Sequence, residues 1–576
     1  MTAATHPPSG PHPAAAPDGP APAAVPDGPA PAAAPDGATR AGAIPGGPPA
    51  GTGAPGGTAG ASGDDTETRR SVRSGVAGLI GAATSGLFGF LLAVVITRGY
   101  GTVGSGAFFA AIGVVTVATA VCTLGAETGL MWALPRRRLG ARGDAARVLP
   151  VALLPPLLVA VAVAVGGVLA ADALAPRLLG GSGVDGAALL TASFAAVPVV
   201  VAMTLLLAAL RCARPIRAYV GVQFFLLPVA RPVLVGAAAL AGGGLLAGMT
   251  GWLVPAALAL LACLTLVAGP LGVGRGAALR PAAGDWSAFW RFALPRAASA
   301  AIDAGNMWVG VLLTSVLAGP ADAGVFGAVG RYILAGQLAM QGLRVAVSPQ
   351  LSRLLGRGDR AAAAAVHRQL TTWGLVLSWP VYLLLAVFGL AFLQLFGPEF
   401  TAGATAMTVL ALAMLVNTGV GNVQSLLLMG GRSGLHLAAT LAGLLVTVSL
   451  GLWLIPAHGA TGAALAWALG IATENVTAVV CARVVVGQPL VDAAMLRAGA
   501  ATVAGVGAAA AVGVLAGGRG IGGLAVALGV LAAGCVGLLT LPRVRHRIRV
   551  TMVQVRGRQE AAPAATGRAP EESKGR

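Results

Sequence analysis

Apolar runs of about 20 residues follow one another from Ser71 to residue 541, and no other feature of the chain restricts its fold so strongly. A run of that length crosses roughly 30 Å of hydrocarbon as a helix rising about 1.5 Å per residue. Backbone N–H and C=O groups in hydrocarbon find no water, so each run must bond internally as a helix. Fourteen spans are expected, at 75–97, 105–134, 148–171, 186–210, 218–241, 246–269, 292–317, 322–346, 366–396, 402–428, 434–455, 460–481, 498–516 and 520–541. The second and ninth are longer than the bilayer requires and are expected to project from it. Pro155, Pro156, Pro198, Pro228, Pro232 and Pro380 are expected to kink their helices, which packed bundles tolerate. The fold class is therefore all-α and polytopic.

The charges agree with this. Only 10% of residues are charged against 56% apolar, too little charge to cover a soluble surface of this size. A net charge of +18 suggests nucleic acid as a partner, but the cations stand between apolar runs, where they report orientation. With the N-terminus inside, the outer loops hold only Arg98, Arg177 and Arg519, and the spans hold Arg231, Arg331 and Arg344 away from their inner ends. The rest of the 38 Lys and Arg residues fall on the inner side, and one missed helix would invert every later loop. Both termini are expected to be cytoplasmic, in a cytoplasmic membrane, with no nucleic-acid partner. Lys574 alone is lysine, a bias that, with the heavy Ala and Gly use, fits GC-rich coding.

Residues 1–70 form a Pro/Ala/Gly-rich segment in which Pro-Asp-Gly recurs at Pro17, Pro26 and Pro35. Such a segment buries too little apolar surface to offset its ordering entropy and is expected to be a disordered cytoplasmic tail. It lacks the apolar core of a secretory signal, so no cleavage is expected. Cys122, Cys212, Cys263, Cys481 and Cys535 show no metal-ligand spacing, and their odd number argues against a disulfide framework. They are expected to be small packing residues.

An internal repeat organises the helices. The hairpin LLAVVITRGYGTVGSGAFFAAIGVV is echoed by WVGVLLTSVLAGPADAGVFGAVGRYI: at an offset of 218, Gly101 matches Gly319, Gly106 matches Gly324 and Phe108 matches Phe326. Spans 1 and 7 run in the same direction, so the copies have parallel topology. Two six-helix bundles are expected, at 71–271 and 272–485, followed by two further helices at 486–545 and a charged cytoplasmic tail at 546–576. Parallel-repeat transporters place their substrate path between the halves.

With the hairpin pattern R-x-x-G-x-x-x-x-G-x-F carried by Arg98, Gly101, Gly106 and Phe108, the chain resembles the Wzx-type polysaccharide flippases of the multidrug/oligosaccharidyl-lipid/polysaccharide exporter superfamily. The likeness extends through FWRFALPR (289–296), SPQLSRLLGRGD (348–359), LFGPEF (395–400) and LIPAHGATGAALA (454–466), and covers about residues 71–541. Each motif is mostly turn glycines and caps; their order is what is specific. The resemblance implies export of an undecaprenyl-pyrophosphate-linked oligosaccharide to the outer leaflet. It also implies membrane lipids, a polysaccharide polymerase or glycosyltransferases as partners, and no cofactor. A multidrug/cation antiporter and a lipid II flippase of the same superfamily are the alternatives. The antiporters usually keep an acid in the first helix, and 75–97 has none.

Charges inside a bilayer are expensive, so each is a functional candidate. Helix rise puts Arg231 roughly 20 Å, Arg331 roughly 22 Å and Asp303 roughly 16 Å from the inner face. If the superfamily geometry holds, the two arginines face a shared cavity, where guanidinium suits a pyrophosphate. Asp303 is a further substrate-binding candidate; its pairing with Arg331, or snorkelling of Arg331 towards the lipid surface, is the structural alternative. Asn306, Gln337, Gln341, Asn417, Asn422 and Gln424 can bind sugar hydroxyls or bond between helices. Glu127 and Arg344, at equivalent places in the repeats, can close an inward gate by pairing, or each can simply snorkel to the surface. Glu474 with Asn475 can serve cation coupling or helix packing. No catalytic residues or metal site are expected: the six histidines are scattered, and nucleotide-binding glycine loops and nucleophile elbows are missing. A polyprenyl-linked polymerase or ligase would need a large outer catalytic loop, and the longest, 172–185, carries only Asp172, Arg177 and Asp185.

Overall fold

The computed structural model describes residues 61–137, 139–140, 144–180, 186–273, 279–421, 423–487 and 491–540. The chain divides into two compact units, residues 1–64 and 65–576. The expectations for the N-terminal tail before residue 61 and for the tail beyond 540 lie outside the described residues.

The helices are α1 (Ala61–Cys122), α2 (Ala126–Ala133), α3 (Val148–Leu169), α4 (Ala171–Leu179), α5 (Gly186–Ala213), α6 (Ile216–Val220), α7 (Leu227–Leu240), α8 (Leu245–Leu271) and α9 (Asp285–Leu317). They continue as α10 (Pro320–Gly336), α11 (Leu338–Gly356), α12 (Arg360–Val387), α13 (Gly389–Leu393), α14 (Ala404–Val420), α15 (Val423–Met429), α16 (Ser433–Val486), α17 (Ala493–Gly517) and α18 (Ile521–Thr540). No strand occurs among the described residues. Among the described residues, ten helical segments are long and apolar enough to cross a membrane. Two of them fold back on themselves at a glycine: α1 at Gly101 (φ 65°, ψ −169°) and α16 at Gly459 (φ 52°, ψ −130°). A side chain rarely adopts positive φ, so glycine permits each reversal. Adding the broken pair α10–α11 and the shorter apolar α18 yields the fourteen segments that hydropathy marks. The protein is a multi-pass, all-α membrane protein.

Four spans differ from expectation, one of them 402–428, which parts at Gly421 (φ 76°) into α14 and α15. The run 105–134 is not one projecting helix, because Leu124 (φ 50°) and Gly125 (φ 73°) end α1 and turn the chain into α2. The run 366–396 breaks at Phe388, between α12 and α13. Span 322–346 is likewise interrupted, at Gln337. Pro155, Pro156, Pro198, Pro232 and Pro380 lie inside helices. Pro228 follows a π turn, Gly221–Leu226, whose wider ladder accommodates a residue that cannot donate.

Packing follows chain order. α5 packs on α3 and α8, and α7 on α8; further on, α14 packs on α12 and α16, and α17 on α12 and α18. The last pair is seated by Val506, Ala510 and Ala527 against Leu384, Phe388 and Ala391. α9 touches both groups, with α10 and α16 on one side and α2, α3 and α4 on the other. Leu169, Leu240, Trp453 and Leu515 lie more than 70% exposed, on surfaces that would face lipid.

The repeated hairpins meet directly. A Cβ on Gly106 would fall on the Pro320 carbonyl, and one on Gly324 would fall on the Thr102 carbonyl, so the two glycines let the backbones cross. Phe108 and Phe326 are buried beside this crossing. Gly319, like Gly101, has positive φ, at 93°. The 218-residue offset thus reports two related turns packed face to face.

Candidate functional site

Two adjoining cavities lie beside α9 and α10. The first, about 410 Å³, is lined by Gly86 and Phe90 of α1, Arg231 of α7, Trp252 of α8, Trp308 of α9 and Arg331 of α10, among others. The Arg331 guanidinium lies 5.3 Å from the ring centres of both Phe109 and Trp308, and that of Arg231 lies 4.2 Å from Trp252. Neither arginine is ion-paired among the described residues, and no carboxylate lines this cavity. The buried Nε of Arg231 and Nε1 of Trp308 have no hydrogen-bond partner. Arg331 is the twelfth residue of α10, roughly 17 Å along the helix from its start.

The second cavity, about 300 Å³, has the opposite character. Asp303, Asn306, Gln337, Asn417, Gln424, Glu474 and Asn475 line it, and no cation does. Glu474 Oε1 accepts from Gln424 Nε2 at 2.6 Å and from Thr440 Oγ1 at 3.1 Å. Asn475 Nδ2 donates to Asn417 Oδ1 at 2.9 Å and to the Ile471 carbonyl at 2.9 Å. Gln337 Nε2 lies 3.3 Å from Met414 Sδ. Met307 and Leu334 belong to both linings and separate the cavities.

The structure therefore brings Arg231 and Arg331 together and gathers Asp303, Asn306, Gln337 and Glu474 next door. No ion pair joins Arg331 to Asp303, because the two line different cavities. Glu127 is exposed on α2. The side chains of Gln341 and Arg344 and the whole of Asn422 lie outside the described residues, and with them the Glu127–Arg344 gate. No cluster of three or more acids, histidines and cysteines suited to a metal occurs among the described residues.

Contacts bridge the early and late helices at both ends of the cavities. At the Gly101 end, Arg98 Nε donates to the Leu395 carbonyl and Nη2 to the Gln394 carbonyl, each at 2.8 Å. Thr102 donates to Glu399 Oε2 from its amide at 3.4 Å and its hydroxyl at 3.3 Å. At the other end, about 50 Å away along the 33-residue α9, Arg137 Nη2 meets Asp285 Oδ1 at 2.6 Å, and Trp132 stacks on Phe292 at 4.7 Å. Sequence reasoning named Arg98 as a motif residue and an outer-loop cation but missed its carbonyl partners, and it missed the aromatic faces against Arg231 and Arg331.

This architecture recurs in solved structures. The lipid II flippase MurJ in an inward closed conformation superposes with a TM-score of 0.64 at 11% identity, over 80% of this chain and 98% of that one. The chain is similar in fold to MOP-superfamily transporters. An inward-facing MATE family multidrug resistance transporter of that superfamily gives 0.58 at 14% identity, over 70% and 94%. The MATE multidrug transporter DinF-BH, in a ligand complex, gives 0.50 at 17%, over 73% and 97%. No protein-family model and no curated protein matches the chain. At these identities the likeness is one of fold.

Proposed function

We propose that the protein is a transporter that flips a polyprenyl-pyrophosphate-linked oligosaccharide, or a related cell-envelope lipid intermediate, across the cytoplasmic membrane by alternating access. The observation that carries this reading is the cavity holding Arg231 and Arg331 without a counter-ion. Guanidinium groups match phosphate oxygens bidentately, and a pyrophosphate brings the charge that the cavity lacks. The aromatic walls suit a sugar or prenyl stem beside the anion. Arginine placement along the sequence supports an orientation with both termini cytoplasmic. The neighbouring cavity, with Asp303 and Glu474, is where an ion gradient would act, and Asn306, Gln337 and Gln341 are assigned to sugar hydroxyls. Glu127 and Arg344 are assigned to a gate on the cytoplasmic side. Polysaccharide polymerase or glycosyltransferases would be the partners that consume and supply such a substrate.

The multidrug/cation antiporter reading rests on the acidic cavity, which suits a cationic cargo. The two are separated by reconstitution in vesicles with a fluorescent polyprenyl-pyrophosphate oligosaccharide in one arm and a cationic dye in the other. Translocation of the labelled lipid, abolished by Arg331→Ala and partly retained by Arg331→Lys, is expected. Dye transport without lipid translocation would overturn the proposal.

A further inference from the structure

A third cavity, about 380 Å³, lies at the Arg137 end, between the α2–α3 connection and the start of α9. Three guanidiniums and two carboxylates line it: Arg136, Arg137 and Arg147 against Asp144 and Asp285. Arg137 meets Asp285 at 2.6 Å and Asp144 at 3.9 Å. Asp285 uses its second oxygen to accept from the Ala282 amide at 2.8 Å. The lining as a whole carries one more positive than negative charge. Arg136 is exposed, its guanidinium 4.9 Å from the Trp132 ring centre. Arg147 Nε is buried and has no hydrogen-bond partner.

A buried donor without an acceptor is costly, and the arginine that carries it lines a cavity with an excess of positive charge. We propose that this pocket binds the phosphate group of an anionic lipid. Arg147 supplies the buried donor and Arg136 the rim charge, in the forked geometry phosphate oxygens accept. The remaining walls explain why the phosphate is carried on a lipid. Val148 and Val151 open the apolar run of α3, and Phe289 and Trp132 are aromatic, as residues at a bilayer surface often are. A lipid glycerol and its first methylenes lie against those side chains while the phosphate meets the arginines. Because Phe289 and Asp285 belong to α9 and the arginines to the α2–α3 connection, a bound lipid ties these elements together.

The test uses the purified full chain in nanodiscs of phosphatidylcholine, with and without phosphatidylglycerol, followed by intrinsic tryptophan fluorescence on heating. Phosphatidylglycerol is expected to raise the wild-type Tm by about 2 °C. Arg147→Gln is expected to lose that rise and Arg147→Lys to keep part of it, while Arg177→Gln, an exposed arginine on α4, keeps it whole. Should Arg147→Gln fail to fold, the exposed Arg136→Gln reports the same loss. Millimolar inorganic phosphate in phosphatidylcholine discs separates the sources. No response assigns the site to lipid, and a full response assigns it to a free anion and overturns the lipid claim. A rise that survives in both Arg147→Gln and Arg136→Gln, or no rise in the wild type, overturns the site.

Discussion

Replacing Arg98 with alanine removes the polar tie between the end of the first span and the segment after α13. Its two hydrogen bonds, both at 2.8 Å, go to the Gln394 and Leu395 carbonyls. Charge-assisted hydrogen bonds contribute about 1.5–3 kcal/mol each when shielded from water. Both are solvent-exposed here, so water competes, and about 0.5–1 kcal/mol apiece is the appropriate discount. The pair is then worth about 1–2 kcal/mol, roughly a 5- to 30-fold change in the ratio of closed to open forms at this end. The Thr102–Glu399 contacts do not involve Arg98 and remain available after the substitution. Spin labels at Ala241 and Ala402, both exposed, report the separation. Pulsed dipolar spectroscopy should show a longer-distance population growing in Arg98→Ala, and Arg98→Lys should fall between it and wild type. Identical distance distributions in all three proteins would refute the assignment of Arg98 as a latch.

Gly106→Ala should lower Tm and yield sharply, since overpacking against a backbone carbonyl costs about 1–3 kcal/mol and neither hairpin can yield. Gly89→Ala, which meets nothing within 4 Å, should leave Tm unchanged; equal Tm values for both variants would contradict the crossing. Glu474→Gln keeps an oxygen for Gln424 and Thr440, so the protein should remain stable while translocation loses its response to an imposed ion gradient. Unchanged gradient dependence would reduce Glu474 to packing. Reporter fusions after residues 70 and 545 should be active only as cytosolic markers, and deletion of residues 1–60 should preserve insertion and translocation. A periplasmic signal at either junction would break the topology.

Much of the architecture was legible because a bilayer makes hydropathy nearly a measure of length. The repeat at offset 218 was legible because turn and crossing positions accept only glycine, so Gly101, Gly106, Gly319 and Gly324 had few alternatives. The breaks at Leu124, Gln337 and Phe388 were not legible, since they fall inside apolar or uninterrupted runs where the periodicity gives no sign. Helix rise placed Arg231 and Arg331 at similar depth, and both line one cavity. Depth carries no information about which face of a helix a residue occupies. Asp303 and Trp308 stand five residues apart on α9, roughly 140° around the helix, and so look into different cavities. Arg331 on α10 and Gln337, six residues on at the break after that helix, likewise line different cavities.

That phase difference also accounts for the charge arrangement. A guanidinium near mid-bilayer costs several kcal/mol, and an aromatic face returns about 0.5–2 kcal/mol. Arg331 has two such faces and Arg231 one, so a deficit remains for both. A carboxylate in the same cavity would close it, and α9 carries one within two turns. The helix turns Asp303 away instead and sets the apolar Met307 and Leu334 between the acidic and the basic cavity. Stability alone would favour pairing the charges, because removing either partner of a buried pair is costly while an unpaired charge costs throughout. Keeping them apart leaves the arginines with unspent affinity for an anion from outside the chain, and leaves the acids free to answer a cation. An anionic cargo that enters the basic cavity supplies the missing counter-charge only while it is bound. On the reading proposed here, the protein's most expensive residues are stabilised by its substrate.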